Sequence, residues 1–176
     1  MYIGYIFWKQ QPKSGFRVPS WASLRKIAIR LKTYTDYTLR VLIRLAVQPD
    51  GLTTIAEIAN GYGISENHLM KVVHQLGLAG YVETVRGRNG GLRLARPPAE
   101  INIGEVVRRM EPDFDIVPCF NASGACIIQP ACVLKGALDE ALDAFLAVLD
   151  RYTLADLTKA RRKLFAMFPI EKAGTA

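Results

Sequence analysis

The sequence contains few of the side chains that catalytic and metal sites use most often. Its 176 residues include three cysteines and two histidines. It shows no Ser/His/Asp constellation, no phosphate-binding glycine loop and no pair of catalytic carboxylates, so we do not predict an enzyme. It also has no uninterrupted apolar run of membrane-spanning length and no secretory signal. We therefore predict a cytoplasmic protein that has no membrane segment.

Acidic residues are missing from the start of the chain. Residues 1–30 carry six basic and no acidic side chains (+6), residues 31–100 carry eight and six (+2), and residues 101–176 carry nine and ten (−1). Most of the formal charge of +7 therefore lies in a leader that mixes aromatic residues with Pro, Gly and Ser. We interpret residues 1–30 as a disordered basic arm, which could grip DNA, or as the result of a mis-set translation start.

The three cysteines form one cluster. Cys119, Cys126 and Cys132 lie within fourteen residues, and Gly124 and Pro130 mark turns between them. We therefore expect an irregular loop that can bring three sulfur atoms to one point. Thiolates are soft ligands that suit zinc, copper(I) or iron–sulfur clusters. A structural zinc site and redox or structural thiols remain alternatives, whereas a disulfide would leave one cysteine over.

The first helices of the chain are predicted from capping residues and helical spacing. Thr35 and Asp36 are capping candidates for a first helix that ends before Gly51, and its apolar positions are Leu39, Leu42, Ile43 and Ala46. Thr54 and Glu57 form a capping box that opens a short second helix, which runs through Asn60.

A third helix follows a glycine-containing turn and carries the predicted DNA-reading face. Ser65 caps this helix, and its apolar stripe is Leu69, Val72, Val73 and Leu76. Two short helices joined by such a turn predict a helix-turn-helix. Side chains opposite the stripe can reach base edges and phosphates, although an ordinary polar surface is the alternative. The candidate DNA contacts on this helix are Ser65, Asn67, His68, Lys71 and His74.

A glycine-rich hairpin is predicted after the third helix. Tyr81–Val85 and Leu92–Ala95 have strand patterns, and a glycine-rich turn joins them. A helix-turn-helix followed by such a hairpin is a winged helix. The hairpin tip carries the candidate contacts to phosphates or a narrow minor groove, which are Arg86, Arg88 and Asn89.

The C-terminal part is predicted to be helical. A short helix has the apolar residues Ile103, Val106, Val107 and Met110, and a long amphipathic helix follows the cysteines. The long helix has little core of its own to cover in so small a domain, so we expect it to pair with its copy in a homodimer. We thus predict a mainly α fold with a winged helix-turn-helix in residues 31–98, a cluster-binding loop and dimerisation helix in 99–158, and a basic tail in 159–176.

Residues 31–158 resemble the iron–sulfur winged-helix transcription regulators of the IscR and NsrR type, and among them the nitric-oxide-sensitive repressors most closely. The matching stretches are residues 31–40, 65–76, 85–94 and 152–157, together with the three cysteines. Their order and spacing are more specific than any one of them. The resemblance implies a homodimeric repressor that binds a palindromic site on double-stranded DNA and senses nitric oxide.

The resemblance also implies a cofactor and its ligands. Cys119, Cys126 and Cys132 would hold an iron–sulfur cluster, either 4Fe-4S or 2Fe-2S, and Asp36 of the partner subunit would be a fourth ligand. Capping of the first helix is the other role open to Asp36. The histidine that IscR-like members place after the third cysteine is absent, because Val133, Leu134 and Lys135 stand there. A general redox or iron–sulfur-status regulator and a structural zinc winged-helix protein are the alternatives.

Overall fold

The computed structural model describes residues 31–48, 51–111, 113–114, 117, 126–128 and 131–168. Helices dominate the described residues, and two strands form the only sheet among them, so the mainly α prediction is confirmed. None of the described helices is long and apolar enough to cross a membrane. The elements are α1 (Thr33–Val47), α2 (Ile55–Tyr62), α3 (Glu66–Leu78), β1 (Val82–Val85), β2 (Gly91–Leu94), α4 (Ile103–Met110), α5 (Val133–Leu149), α6 (Leu154–Leu157) and α7 (Arg161–Ala166).

The N-cap residue of α1 lies three residues before Thr35, the first of the two predicted capping candidates. Lys32 is its N-cap residue and makes no side-chain cap, while Asp36 lies in the first turn. The prediction that Thr35 or Asp36 caps this helix is therefore wrong. Thr35 is fully buried, and its hydroxyl donates to the Glu111 carboxylate. A contact to a distant residue thus sets this helix start, and local sequence patterns do not report such contacts.

The helix-turn-helix is confirmed. The Thr54 side chain accepts from the Glu57 backbone N–H, and the Glu57 carboxylate accepts from the Thr54 N–H, which completes the predicted capping box. Helix α2 continues to Tyr62 instead of Asn60, and Gly63 ends it with a left-handed φ of 64°. Such a φ favours glycine, which lacks the Cβ that would be strained there. Ser65 stands at the N-cap of α3, but its side chain makes no cap hydrogen bond.

Strands β1 and β2 form the antiparallel wing, with Val82 opposite Leu94 and Val85 opposite Gly91. Each strand lies within one residue of its predicted bounds. Leu92 also exchanges backbone hydrogen bonds with Thr53, which ties the wing to the segment before α2. At the tip, a Cβ on Gly90 would overlap the Val85 carbonyl oxygen. The tight turn therefore requires glycine at position 90.

The C-terminal helices pack back onto the DNA-binding part. Helix α4 buries the predicted apolar face, and the backbone of Ile101 and Ile103 bonds to residues 152–154 after α5. Helix α5 has more core contact than expected, because Leu146 is buried and Leu142 and Leu149 pack against the core. The expectation that α5 has little core of its own to cover is therefore wrong for this face.

The start of the predicted basic tail is ordered against α1. Helix α7 follows the short helix α6. The Arg161 Nε donates to the Val47 carbonyl at 3.0 Å. The Arg44 guanidinium lies 5.8 Å from the Phe165 ring centre and 5.0 Å from that of Phe168. Residues 159–168 are thus part of the folded unit, while residues 1–30 and 169–176 lie outside the described residues.

Candidate nucleic-acid interface and metal site

Helix α3 presents its predicted reading face to solvent. The five predicted contact residues on and before this helix are all exposed, and the four residues of the apolar stripe are buried. A recognition helix needs this arrangement, because its buried side fixes its position while its exposed side enters the major groove. The exposed set is Ser65, Asn67, His68, Lys71 and His74.

Two apolar side chains that the sequence reasoning missed are exposed on the same helix. Met70 is 49% exposed and Leu78 is 67% exposed, next to Lys71 and His74 along α3. Single exposed apolar side chains are ordinary on protein surfaces, so this exposure alone assigns them no role. In the helical period Leu78 falls opposite the buried stripe, whereas Met70 falls beside it.

Two tyrosines near the start of α1 hold the reading helix in place. The Tyr34 hydroxyl donates to the Lys71 carbonyl at 3.3 Å. The Tyr37 ring lies 6.3 Å from that of His68, measured between ring centres. Burial raises the pKa of the Tyr34 phenol. The sequence analysis missed both residues, although their spacing of three places them on one face of α1.

The wing presents two exposed basic side chains at its tip. Arg86, Arg88 and Asn89 are all exposed at the tip of the hairpin. By contrast, Arg93 on β2 is paired with Glu83 on β1 at 2.8 Å, so its charge is partly satisfied within the sheet. Guanidinium groups held on a short hairpin suit phosphates and the narrow minor groove. The geometry is the predicted one, and contact of these side chains with DNA remains a prediction.

Two of the three cysteines lie in described parts of the chain. Cys126 and Cys132 are both partly exposed, and both thiols are free. Cys132 is the N-cap residue of α5. Cys119 lies outside the described residues, so the approach of three sulfur atoms to one point remains a prediction. Within the described residues, no three His, Cys, Asp or Glu side chains gather closely enough to hold a metal.

The donor chemistry of Cys126 and Cys132 fits an iron–sulfur cluster. Accessible thiols that are not oxidised can bind iron as thiolates, whereas a disulfide could not. Their partial exposure also leaves room for a bound group, which a pair of core cysteines would lack. The two histidines of the chain stand on α3, away from this segment in sequence. A site of three cysteines and one adjacent histidine is therefore not indicated.

Asp36 is engaged within its own helix. Its carboxylate accepts from the Arg40 Nε at 2.8 Å, and its side chain is 46% exposed. Arg40 also lies over the Tyr62 ring, 5.5 Å from its centre. The hydrogen bond to Asp36 is the largest cause of the raised pKa of Arg40. The pair with Arg40 uses Oδ2, and an ionised carboxylate has a second oxygen that can bind a metal.

A surface cavity lies apart from these residues. It has a volume of about 910 Å³ and is lined by the end of α1 and by residues 159–163 and Phe165. Its lining includes Lys159, Arg162 and Lys163, so it is strongly basic. None of the predicted DNA or metal residues lines this cavity.

Comparison with known proteins identifies relatives along most of the chain. Residues 31–160 match the family model described as Rrf2, iron-dependent transcriptional regulator. The HTH-type transcriptional regulator NsrR of Bacillus subtilis is 54% identical over 146 residues, which are 82% of this chain and 100% of the relative. The NsrR of Bacillus licheniformis is 56% identical over 131 residues, which are 73% of this chain and 92% of the relative.

Solved structures show the same arrangement of elements. The structure of T. potens IscR has a TM-score of 0.63 and 28% identity, and the match covers 78% of this chain and 91% of that one. The oxidized form of Staphylococcus aureus CymR has a TM-score of 0.60 and 28% identity, and the match covers 73% and 95%. The curated relatives are named transcriptional regulators, which confirms the prediction of a role other than catalysis. The chain belongs to the Rrf2 family of iron-dependent transcriptional regulators and is a DNA-binding regulator of transcription.

Proposed function

We propose that this chain is a homodimeric repressor whose operator binding depends on an iron–sulfur cluster and is lost when nitric oxide attacks that cluster. The supporting observation is the placement of two free, partly exposed thiols, Cys126 and Cys132, before the long helix of a winged-helix regulator. The curated relatives at about half identity carry the name NsrR. Because its target is DNA, the protein acts in the cytoplasm.

Cys119, Cys126 and Cys132 are the proposed protein ligands of the cluster. Three thiolates leave one iron of a 4Fe-4S cluster without a cysteine, and a carboxylate can fill that position. We assign it to Asp36, supplied across the dimer, whose carboxylate pairs with Arg40 through Oδ2 and can bind a metal through Oδ1. When bound, the cluster supplies iron atoms that nitric oxide can attack. Carboxylate is a harder ligand than thiolate, so the bond from iron to Asp36 would be the weakest of the four protein–iron bonds.

The outer face of α5 supports a homodimer. Val133, Leu134, Phe145 and Val148 are 85%, 64%, 40% and 43% exposed. By their helical positions they lie on the side of α5 that faces away from Leu146, which is buried in the core. An apolar face on a long helix is removed from water by pairing with a second copy. Such a dimer would present two α3 helices to successive major grooves of a palindromic site.

The exposed side chains of α3 and the wing would make different kinds of contact with DNA. Asn67 suits a base edge, because its amide can donate and accept at once. Lys71 suits a phosphate, because its ammonium is a point charge without a fixed hydrogen-bond plane. Arg86 and Arg88 on the wing would contact the flanking backbone or minor groove. Together these contacts would fix the register on the operator and read part of its sequence.

The cofactor is tested by purifying the protein without oxygen and measuring iron, sulfide, zinc and visible absorbance for the wild type and Cys126→Ala. We expect a brown wild type that contains iron and sulfide, and a variant that has lost both, because Cys126 supplies a ligand. Colourless protein loaded with zinc, in spite of cluster reconstitution, would contradict the proposal and favour a structural zinc winged helix. A cluster that is destroyed by oxygen but not by nitric oxide would favour a general redox regulator.

A further inference from the structure

The carboxylate of Glu111 connects two distant parts of the chain. Glu111 is the residue after α4, and it is only 8% exposed. Its Oε2 accepts from the Thr35 hydroxyl at 2.6 Å and from the Lys32 backbone N–H at 3.3 Å. Thr35 is fully buried. A buried carboxylate thus takes the place of the missing side-chain cap at the start of α1, where negative charge also suits the helix dipole.

A second contact joins the same two parts but contributes less. The Lys32 ammonium pairs with the Asp113 carboxylate at 2.5 Å, and the two side chains are 47% and 48% exposed. Exposed ion pairs of this kind contribute little, because water and salt screen them. The buried hydrogen bond from Thr35 to Glu111 is therefore the stronger link between α1 and the end of α4.

The position of this link relates it to the cysteines. Residues 112–132, which we call the cysteine segment, begin directly after Glu111 and hold Cys119, Cys126 and Cys132. Asp36, the proposed fourth ligand, is adjacent to Thr35 in the first turn of α1. Glu111 is thus a buried residue at the junction between α4 and the cysteine segment.

The same turn of α1 also contacts the recognition helix. The Tyr34 hydroxyl donates to the Lys71 carbonyl, and the Tyr37 ring lies against His68. Lys71 and His68 are both predicted DNA contacts. Residues 32–37 thus stand between Glu111 on one side and the reading face of α3 on the other.

We propose that Glu111 is a positioning residue that, through Thr35, couples the state of the cysteine segment to the placement of α3 on DNA. This role rests on the proposed function, because it presupposes a cluster on the cysteines. Ligation of the cysteine segment fixes Glu111, Glu111 fixes the first turn of α1, and Tyr34 and Tyr37 pass that position to α3. Release of the ligands frees the same chain of contacts.

The test compares the affinity for DNA of cluster-loaded and cluster-free protein. The probe is a labelled duplex from the region immediately upstream of the gene for this chain, and the readout is the ratio of the two affinities. Thr35→Val removes the hydroxyl donor at nearly constant volume, and Glu111→Gln removes the charge. Thr35→Ser keeps the hydroxyl. Glu105→Gln is the matched control, since this carboxylate lies on α4 but accepts from the Tyr81 hydroxyl.

We expect Thr35→Val and Glu111→Gln to keep wild-type iron and sulfide contents and wild-type affinity without the cluster. Their affinity ratios should fall by about fivefold or more, the scale of a lost allosteric coupling. Thr35→Ser and Glu105→Gln should keep the wild-type ratio. An unchanged ratio in the first two variants, or an equal loss of both affinities, would overturn the coupling role. A wild-type ratio of about one would instead contradict the proposed function.

Discussion

The side chains on the exposed face of α3 differ in what they can recognise. An amide such as that of Asn67 can form two hydrogen bonds with one kind of base edge and not with another. An ammonium, by contrast, can donate to any phosphate. We therefore predict that Asn67→Ala narrows the difference in affinity between the operator and unrelated DNA by about 1 to 3 kcal/mol. Competition binding with single-base operator variants measures this effect. Equal loss on all sequences would place Asn67 on the backbone.

Lys71 should behave in the opposite way. Lys71→Ala should weaken binding to operator and unrelated DNA alike, and it should reduce the slope of log affinity against log salt by about one. Titrations at several salt concentrations measure that slope. An unchanged slope would show that Lys71 contacts no phosphate. Glu66→Gln is a useful comparison, because it changes an exposed charge at the start of the same helix.

Phe168 stabilises the contact between the C-terminal segment and the DNA-binding part. Its ring meets the Tyr62 ring edge to face at 5.1 Å between centres and lies 5.0 Å from the Arg44 guanidinium. Burial lowers the pKa of Arg44, and its Nε and Nη1 find no hydrogen-bond partner in the described part of the chain. The aromatic faces are therefore the main partners that we see for this buried cation.

We predict that Phe168→Ala lowers the free energy of unfolding by about 1 to 3 kcal/mol, through lost apolar burial and lost contact with Arg44. Met167→Ala is the control at the neighbouring position, which is 76% exposed, and it should change stability by less than about 0.5 kcal/mol. Urea unfolding compares the two variants. Similar stabilities would mean that residues 167–168 do not stabilise the folded unit.

Among the elements, α6 begins with a capping box whose carboxylate has a lowered pKa. The Lys159 ammonium and the backbone N–H and hydroxyl of Thr153 hold the pKa of Asp156 well below its ordinary value of 3.8. A carboxylate with a depressed pKa stabilises the fold at any pH above its unfolded value and loses this effect as the pH falls below it.

We therefore predict that Asp156→Asn destabilises the protein at neutral pH. The difference from the wild type should narrow only as the pH falls below 3.8, the ordinary value for this carboxyl. Unfolding experiments at about pH 7 and about pH 3 measure the two differences. A difference that is the same at both pH values would show that the Asp156 charge does not stabilise the folded state.

Periodicity predicted the existence of the described helices better than their limits. The buried stripes of α3 and α4 and the capping box of α2 were predicted, because they follow from residues within one turn of each other. The start of α1 was not, since it depends on Glu111, which lies 76 residues from Thr35. For the same reason the predicted reading face lacked Tyr34 and Tyr37, which reach α3 from another helix.

The two faces of α5 show a second limit of sequence reasoning. The amphipathic pattern correctly predicted a long helix. It did not separate the apolar surface that packs on the chain's own core from the apolar surface that is exposed. Leu146 is buried in the chain's own core, whereas Val133 and Val148 are exposed. A single sequence cannot separate an apolar face that meets its own core from one that meets a second molecule, because both remove the same surface from water.

At the scale of the whole molecule, the exposed face of α5 predicts the oligomeric state. Val148→Glu places a charge on this apolar face and should convert the proposed dimer to monomer, because a buried unpaired charge is costly. Ala147→Glu is the matched control, since it adds the same charge at the next, also exposed position, which projects toward the polar side of α5. Analytical ultracentrifugation separates the outcomes. A wild-type monomer, or equal effects of both variants, would contradict pairing through this face.

The central claim is that the cysteines control binding to DNA. The most direct measurement is the affinity of anaerobically purified protein for the upstream duplex during stepwise addition of nitric oxide, with visible absorbance recorded on the same sample. We expect the affinity to fall by about tenfold or more, in step with bleaching of the cluster. Cys126→Ala should start at the low affinity and should not respond to nitric oxide. Tight binding that persists after complete bleaching, or in Cys126→Ala, would show that the cysteines do not control binding to DNA.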